Sequence, residues 1–511
     1  MPETIFHQLR LMLKKEWKLA FYSAIVIGFL THMYVFTNML PNHDGLLNIY
    51  SAQLKFSLGR FFLSPFSGIS SFFDLAWING SLSILYLALT VVVLVELFEL
   101  RKSISIVLTA GLIMTFPTIG STFAYMFTAD GYMMGFLLAV LAILMTKKYN
   151  FGFLPASVLF YLSVGIYQAN LSIVLIIVTV WFIRELVFRE IDLKSIFQSL
   201  LRFVAMTTIG MASYMVTFKL YQSVFAGEVS QYQGINQVGI NFETMVQGLE
   251  KVQDATLDFF FRGYVTNFPV NLFEVLNVLL IALILFALIL SIIINKVYVS
   301  ASRIFLTAGS VCILPVFAFI LYFISPDVIY HMLMYMALVF VYLLPIVVYD
   351  RLEKPILVNK GFSWVTVLTM FVIIFNFAII NNIAYFNMTL KYERSNALMI
   401  RILDRIEQTP GYEDTTELAV IGRPQMETGE VSQAVIERIP KMTGAIGETF
   451  LAHPYHFTRM MANQFGTSIN YISGKELDIL KESEFVKEME TWPSQNAVRV
   501  AGDTVIIKFS E

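Results

Sequence analysis

Eleven long apolar runs leave this 511-residue chain little choice of fold. Crossing a bilayer as a helix takes about 20 mostly apolar residues. Such runs fall near 19–40, 81–99, 103–127, 131–146, 151–169, 171–183, 203–222, 269–295, 304–324, 328–349 and 362–380. The sixth is short, and the fifth and sixth are expected to break around Gly165–Asn170. Inside hydrocarbon every backbone polar group must bond within its own structure. The expected class is therefore membrane all-α: a polytopic bundle of 11 transmembrane helices, from a chain in which 57% of residues are hydrophobic and 14% charged.

Lys and Arg in the loops set the orientation. With the N-terminus inside, the inner loops carry 17 cations and the outer loops 5, and the other 13 of the 35 follow the last run. That asymmetry predicts a cytoplasmic N-terminus and, after an odd number of spans, an extracytoplasmic C-terminus. The first run is too long for a cleavable signal and lacks a small-residue cleavage site, so it reads as a signal anchor in a cell-membrane protein. The net charge of −2 is split across two sides of a membrane and shows no basic domain for nucleic acid. The single Cys312 excludes an internal disulfide.

Three segments stand apart from the spans. Residues 1–18 read as a basic, amphipathic cytoplasmic N-terminus. In the outer segment 41–80, Leu47, Tyr50, Leu54, Leu58 and Phe61 recur at helical spacing, with Asp44, Asn48, Ser51 and Lys55 on another face. One or two interfacial helices are expected there, broken at Pro65 and Gly68, then an aromatic anchor at Phe72, Phe73 and Trp77. The outer segment 223–268 turns amphipathic around Met245–Phe261, which predicts another interfacial helix. Beyond the transmembrane domain 19–380, residues 381–511 carry a helical repeat at Leu398, Ile402 and Ile406, a strand at Leu418–Ile421 and a terminal hairpin around Gly502-Asp503. This reads as a small extracytoplasmic α/β domain.

The candidate chemistry lies at the outer ends of the spans. Asp44, in Pro41-Asn42-His43-Asp44-Gly45, follows the first span, where partial desolvation favours a general base. The competing reading is a helix cap. Lys55 and Arg60 are the only cations of the first outer segment and suit a phosphate-bearing headgroup, Arg60 through a two-point fork; snorkelling is the alternative. Asp130 in Thr128-Ala129-Asp130-Gly131 reads as a turn residue that brings a second carboxylate to the same side. Tyr167 and Gln168, with Asn170, cluster between two spans and could bond a sugar or another helix. Asp327 and His331 are four apart and would share a helical face. Arg262, followed by Tyr264, is a further phosphate candidate. No nucleotide-binding glycine pattern or zinc spacing occurs. His453 and His456 have no nearby Cys or acid, so no metal site is expected from them.

The His43-Asp44-Gly45 lip, the segment ending Leu58-Gly59-Arg60 and the many spans resemble the GT-C glycosyltransferases. Gly165-Ile166-Tyr167-Gln168-Ala169 resembles more specifically the GtrII-like O-antigen glucosyltransferases. So does the tail from Asn381-Asn382-Ile383-Ala384-Tyr385 through Arg401-Ile402-Leu403 to Leu418-Ala419-Val420-Ile421-Gly422. The resemblance implies an inverting transfer on the outer face. A sugar, leaning to glucose, would move from a polyprenyl-phosphate donor to a surface polysaccharide. Partners implied with it are membrane lipid and a functionally coupled donor synthase and flippase. It implies Asp44 as general base and Asp130 as its helper or a positioner of the acceptor. Lys55, Arg60, Arg262 and His331 would hold the donor phosphate, and His43, Asn48, Tyr167, Gln168 and Asp327 the sugar or acceptor. No cofactor is implied, with a divalent metal left open. Two other classes compete. A flippase or transporter of lipid-linked glycan would show paired repeats and charges near the midplane. A polysaccharide polymerase or ligase would use outer-loop arginines more heavily.

Overall fold

The structure, a computed structural model, describes residues 2–4, 7, 13–188, 191–224, 228–232, 234, 242–261, 271–325, 327–352, 357–426 and 429–510. Most of the expected amphipathic N-terminus and Arg262 with Tyr264 lie outside the described residues.

Each of the eleven apolar runs overlaps a helix among the described residues. Among the described residues nine helices are long and apolar enough to cross a membrane unaided, from Lys15–Thr37 to Leu357–Glu407. The third run is a pair, Ser103–Thr115 and Pro117–Phe123, bent by 40°. The fifth is Phe153–Ile166, whose 14 residues are too few for a full crossing. It ends where the sequence predicts a break, and Asn170–Phe188 begins after three intervening residues.

Association of helices in lipid relies on packing and interhelical polar bonds rather than on the hydrophobic effect. The bundle supplies both. His32, fully buried on the first helix, bonds Tyr385 Oη at 2.6 Å and the Met114 carbonyl at 2.7 Å, tying three helices. Asn381 Nδ2 donates to the Thr115 carbonyl (2.7 Å) at the break before Pro117. A proline-interrupted helix is tolerated in a membrane because a neighbour satisfies the freed backbone. Tyr342 Oη donates to Asn277 Oδ1 (2.6 Å), whose amide in turn donates to Phe260 O. At one end of the bundle Glu99 gathers Lys147 (2.9 Å), Arg184 (3.1 Å) and Arg351 (2.9 Å).

The opposite end bears the C-terminal α/β unit. Strands β1 (Glu417–Ile421), β2 (Asn470–Tyr471), β3 (Val498–Ala501) and β4 (Thr504–Lys508) form one sheet in the order β2-β1-β4-β3. Strand β1 runs parallel to both neighbours, and β3–β4 is the expected antiparallel hairpin. Period-two alternation sends Leu418 and Val420 to one face and Ala419 and Ile421 to the other. The first face packs on Leu398, Met399, Ile402 and Ile406, the second on Ile472, Val486 and Met489. Those four belong to Leu357–Glu407, so the last bundle helix is also the first element of the sheet unit's core.

Two expectations fail. The segment 41–80 is not one or two interfacial helices. It holds a 3-10 turn at Gly45–Leu47, another at Phe56–Leu58 and a five-residue helix at Leu63–Ser67, linked by bridges Tyr50↔Phe73 and Lys55↔Arg60. Polar side chains bond locally in place of helix backbone: Asn48 Nδ2 donates to Asp44 O (2.8 Å) and Gln53 Nε2 to Asn48 Oδ1 (3.0 Å). Gln53 (φ 53°) and Gly59 (φ 69°) are both left-handed, which interrupts any right-handed helix. Further on, Asp130 is not at a turn but inside the helix Met126–Lys148, because the chain reverses earlier, at Ala124–Tyr125.

Candidate active site

A cavity of about 1020 Å³ opens between the bundle and the sheet unit. It collects residues scattered from 43 to 456 in the chain. His43, Asp44, Asn48, Lys55, Arg60, Tyr167, Gln168 and His331 all line it. Asp130 and Asp327 do not.

Asp44 occupies the cap position of the Gly45–Leu47 turn but makes no side-chain capping bond. That job goes to Asn42, whose Oδ1 accepts from Gly45 N at 2.8 Å. The Asp44 carboxylate is 45% exposed and meets His43 Nε2 at 3.6 Å. Burial pushes the His43 pKa down, Asp44 pulls it up, and Lys391 and His453 push it down again, leaving it below the ordinary 6.5. His43 is thus mostly neutral at pH 7. Neutral rings surround the carboxylate. Tyr125 is held well above the ordinary phenol range by burial and by Asp44, and Tyr455 is raised by the same two causes.

Cations occupy another part of the wall. Lys55 and Arg60 face each other across an antiparallel bridge at the feet of a tight loop. Arg60 Nη1 donates to Tyr132 Oη (2.8 Å), and the guanidinium lies 5.1 Å from the Tyr167 ring centre. The Tyr132 and Tyr167 rings stack at 4.6 Å. Among the described residues neither cation has a carboxylate partner, and Arg60 Nε is buried without a hydrogen bond. Half-buried positive charge without a carboxylate partner favours an anion.

Gln168 helps hold this loop. Its Nε2 donates to Leu58 O (2.7 Å) and to Tyr214 Oη (3.1 Å), and Tyr214 Oη donates to Gly59 O (3.1 Å). A Cβ on Gly59 would meet Tyr214 Oη at 2.3 Å, so both the left-handed backbone and the space require glycine. Asn48, only 6% exposed, is engaged with Asp44 O and Gln53 and likewise shapes the site from behind. Leu63, Val164, Leu171, Met211, Met215 and Phe218 add apolar lining to the same cavity.

His331 and Asp327 do not share a helical face. The chain between them is irregular, His331 is extended (φ −100°, ψ 157°), and helical structure starts only at Met332. His331 Nδ1 instead approaches Thr443 Oγ1 at 3.4 Å. Asp130 is fully buried and accepts from Gly131 N at 2.9 Å. Its acidic neighbour is Asp74, whose pKa rises to about 7 through burial and through Asp130.

Sequence reasoning missed one wall altogether. An irregular strap, 439–453, enters the bundle and brings Thr443 and His453 to the cavity, and the short helix that follows, Pro454–Met460, brings Tyr455 and His456. Asn387 Nδ2 donates to Ala445 O (2.8 Å) and Gly447 O (3.1 Å), and Lys391 Nζ to Ile446 O (2.9 Å). Gly444 (φ 88°) sits where a Cβ would strike Tyr125 and Asn42. The only signal in the sequence was the His453–His456 spacing, weighed there for metal alone. Tyr132, two residues after Asp130, carried no signal of its own.

No curated protein and no solved structure matches the chain. The family model for glucosyl transferase GtrII matches residues 33–377, from the first bundle helix into the last. That region carries Asp44, Lys55, Arg60, Tyr132, Tyr167 and Gln168. The chain belongs to the GtrII glucosyl transferase family.

Proposed function

We propose that the protein is an inverting glycosyltransferase on the outer face of the cell membrane, with its N-terminus in the cytoplasm. It would move a sugar, glucose by its family, from a polyprenyl-phosphate carrier to a surface polysaccharide. The observation that carries this reading is the division of one cavity between a half-exposed carboxylate, Asp44, and two cations, Lys55 and Arg60, that pair with no carboxylate among the described residues. Asp44 takes the proton of the acceptor hydroxyl. The acceptor oxygen attacks the anomeric carbon from the side opposite the phosphate. The carbon–oxygen bond to phosphate breaks, and its electron pair leaves on the lipid phosphate, which Arg60 and Lys55 stabilise. The apolar portion lined by Met211, Met215 and Phe218 suits the first units of the carrier chain. The reading requires no cofactor and no nucleic acid. It does require a donor synthase and a flippase elsewhere in the cell.

Asp44→Asn tests it. Sugar transfer from polyprenyl-phosphate glucose, assayed in membranes, is expected to fall about 10²–10⁴-fold, the usual worth of a general base. Near-normal transfer by the inserted variant would sink the assignment. Movement of lipid-linked glycan between leaflets with the sugar–phosphate bond intact would establish a flippase instead.

A further inference from the structure

The wall near Asp44 that comes from the strap and the helix Pro454–Met460 lies outside the matched region 33–377, and its chemistry differs from the rest of the site. His456 is 1% exposed. Its Nδ1 accepts from Ala452 N and from His453 N, each at 3.1 Å. A ring nitrogen that accepts two N–H bonds carries no proton, so the neutral ring holds its proton on Nε2. That Nε2 is buried and has no hydrogen-bond partner among the described residues. The ring lies 6.1 Å from that of His43, which touches Asp44. Burial and the neighbouring His43, His453 and Lys391 push the His456 pKa down to about 3, so the ring does not become a cation at physiological pH.

We propose that His456 is a substrate-binding residue whose fixed Nε2–H donates a hydrogen bond to an oxygen of the acceptor carbohydrate, holding it beside Asp44. This rests on the glycosyltransferase reading above. The chemistry favours a sugar over a phosphate on this wall. A single neutral donor suits a hydroxyl or ring oxygen, whereas a phosphate finds its cations at Lys55 and Arg60. Next to the donor, His453 and Tyr455 stack at 5.4 Å with 9° between their planes and line the same cavity. A flat face of this kind packs against the C–H face of a pyranose. The Tyr455 phenol keeps its proton and is a second neutral donor. Donor handling and acceptor selection therefore fall on different parts of the chain.

The test uses His456→Asn in the full-length purified protein. The Asn amide oxygen replaces Nδ1 and keeps the bonds from Ala452 N and His453 N, while the distal N–H is removed. The donor is polyprenyl-phosphate glucose, and the acceptor is surface polysaccharide extracted from cells lacking the protein. KM for the polysaccharide is expected to rise about tenfold, the fold-change of one neutral hydrogen bond. The kcat and the KM for the donor should hold, and His456→Gln, whose amide reaches the Nε2 position, should recover part of the loss. An unchanged KM for the polysaccharide overturns the proposal. So does an equal rise in both KM values, which would mean that His456 supports the cavity as a whole. If the unaltered protein does not consume this donor, the proposed function fails instead.

Discussion

At the scale of single residues, the site is built by denying charges their partners. Among the described residues Arg60 and Lys55 have no acid beside them, the Asp44 side chain caps no helix, and the His456 proton finds no acceptor. Asp74 shows the same economy away from the cavity. Its pKa of about 7, against 3.8 for an unperturbed aspartate, means the folded chain keeps a proton that the unfolded chain releases. The stability this group contributes is therefore fully present below about pH 4 and lost as pH rises to about 7. Asp74→Asn keeps the shape without the charge. Its thermal unfolding temperature should exceed that of the unaltered protein by a margin that grows from about pH 4 to about pH 8. A margin independent of pH would show that burial does not hold that proton. Residue type and position alone brought Asp44, Lys55 and Arg60 to notice, since isolated charges after an apolar run are conspicuous. His456 was not legible as a site residue. Its role depends on a tautomer fixed by two backbone bonds and on a neighbour, His43, more than 400 residues away in the chain.

At the scale of elements, the spans were legible because apolarity over 20 residues admits few alternatives in lipid. The segment 41–80 was misread for a related reason. Its apolar residues do recur at helical spacing, but local bonds from Asn48 and Gln53 and two left-handed residues decide the backbone. The outcome matters to function, since a helix would have placed Lys55 and Arg60 more than one turn apart. The loop instead brings them together across a bridge. Gly59→Ala tests this element. The left-handed backbone costs a residue with a Cβ about 1–2 kcal/mol, and Tyr214 must leave its bond to the Gly59 carbonyl to make room. The KM for the lipid-phosphate donor should rise several-fold, well beyond any change in the KM for the polysaccharide. Equal changes in the two would show that the loop does not serve the cations in particular.

At the scale of the molecule, loop charges argue for the sheet unit outside and the Glu99 cluster inside. The native chain has one cysteine, Cys312, so a Cys312→Ser background allows single reporters. Lys475→Cys, in the sheet unit, should react with a membrane-impermeant thiol reagent on intact cells. Asn150→Cys, in a loop at the Glu99 end, should react only after the cells are opened. The reverse pattern would invert the topology and leave the site facing the cytosol. How the sheet unit meets the bundle could not be foreseen. The boundary suggested by composition near residue 381 falls inside an unbroken helix, and the strap that closes the cavity follows no periodic pattern.

That helix, Leu357–Glu407, spans about 75 Å at 1.5 Å per residue. It works as a gauge. One residue added or removed between Lys391 and Leu398 would lift the sheet unit by about 1.5 Å and turn it by about 100°, out of phase with the strap held at Asn387 and Lys391. Changes of length there are therefore tolerable only in whole turns. With no hinge in the helix, the height of the sheet unit above the bundle is set once, and the cavity wall it carries is set with it.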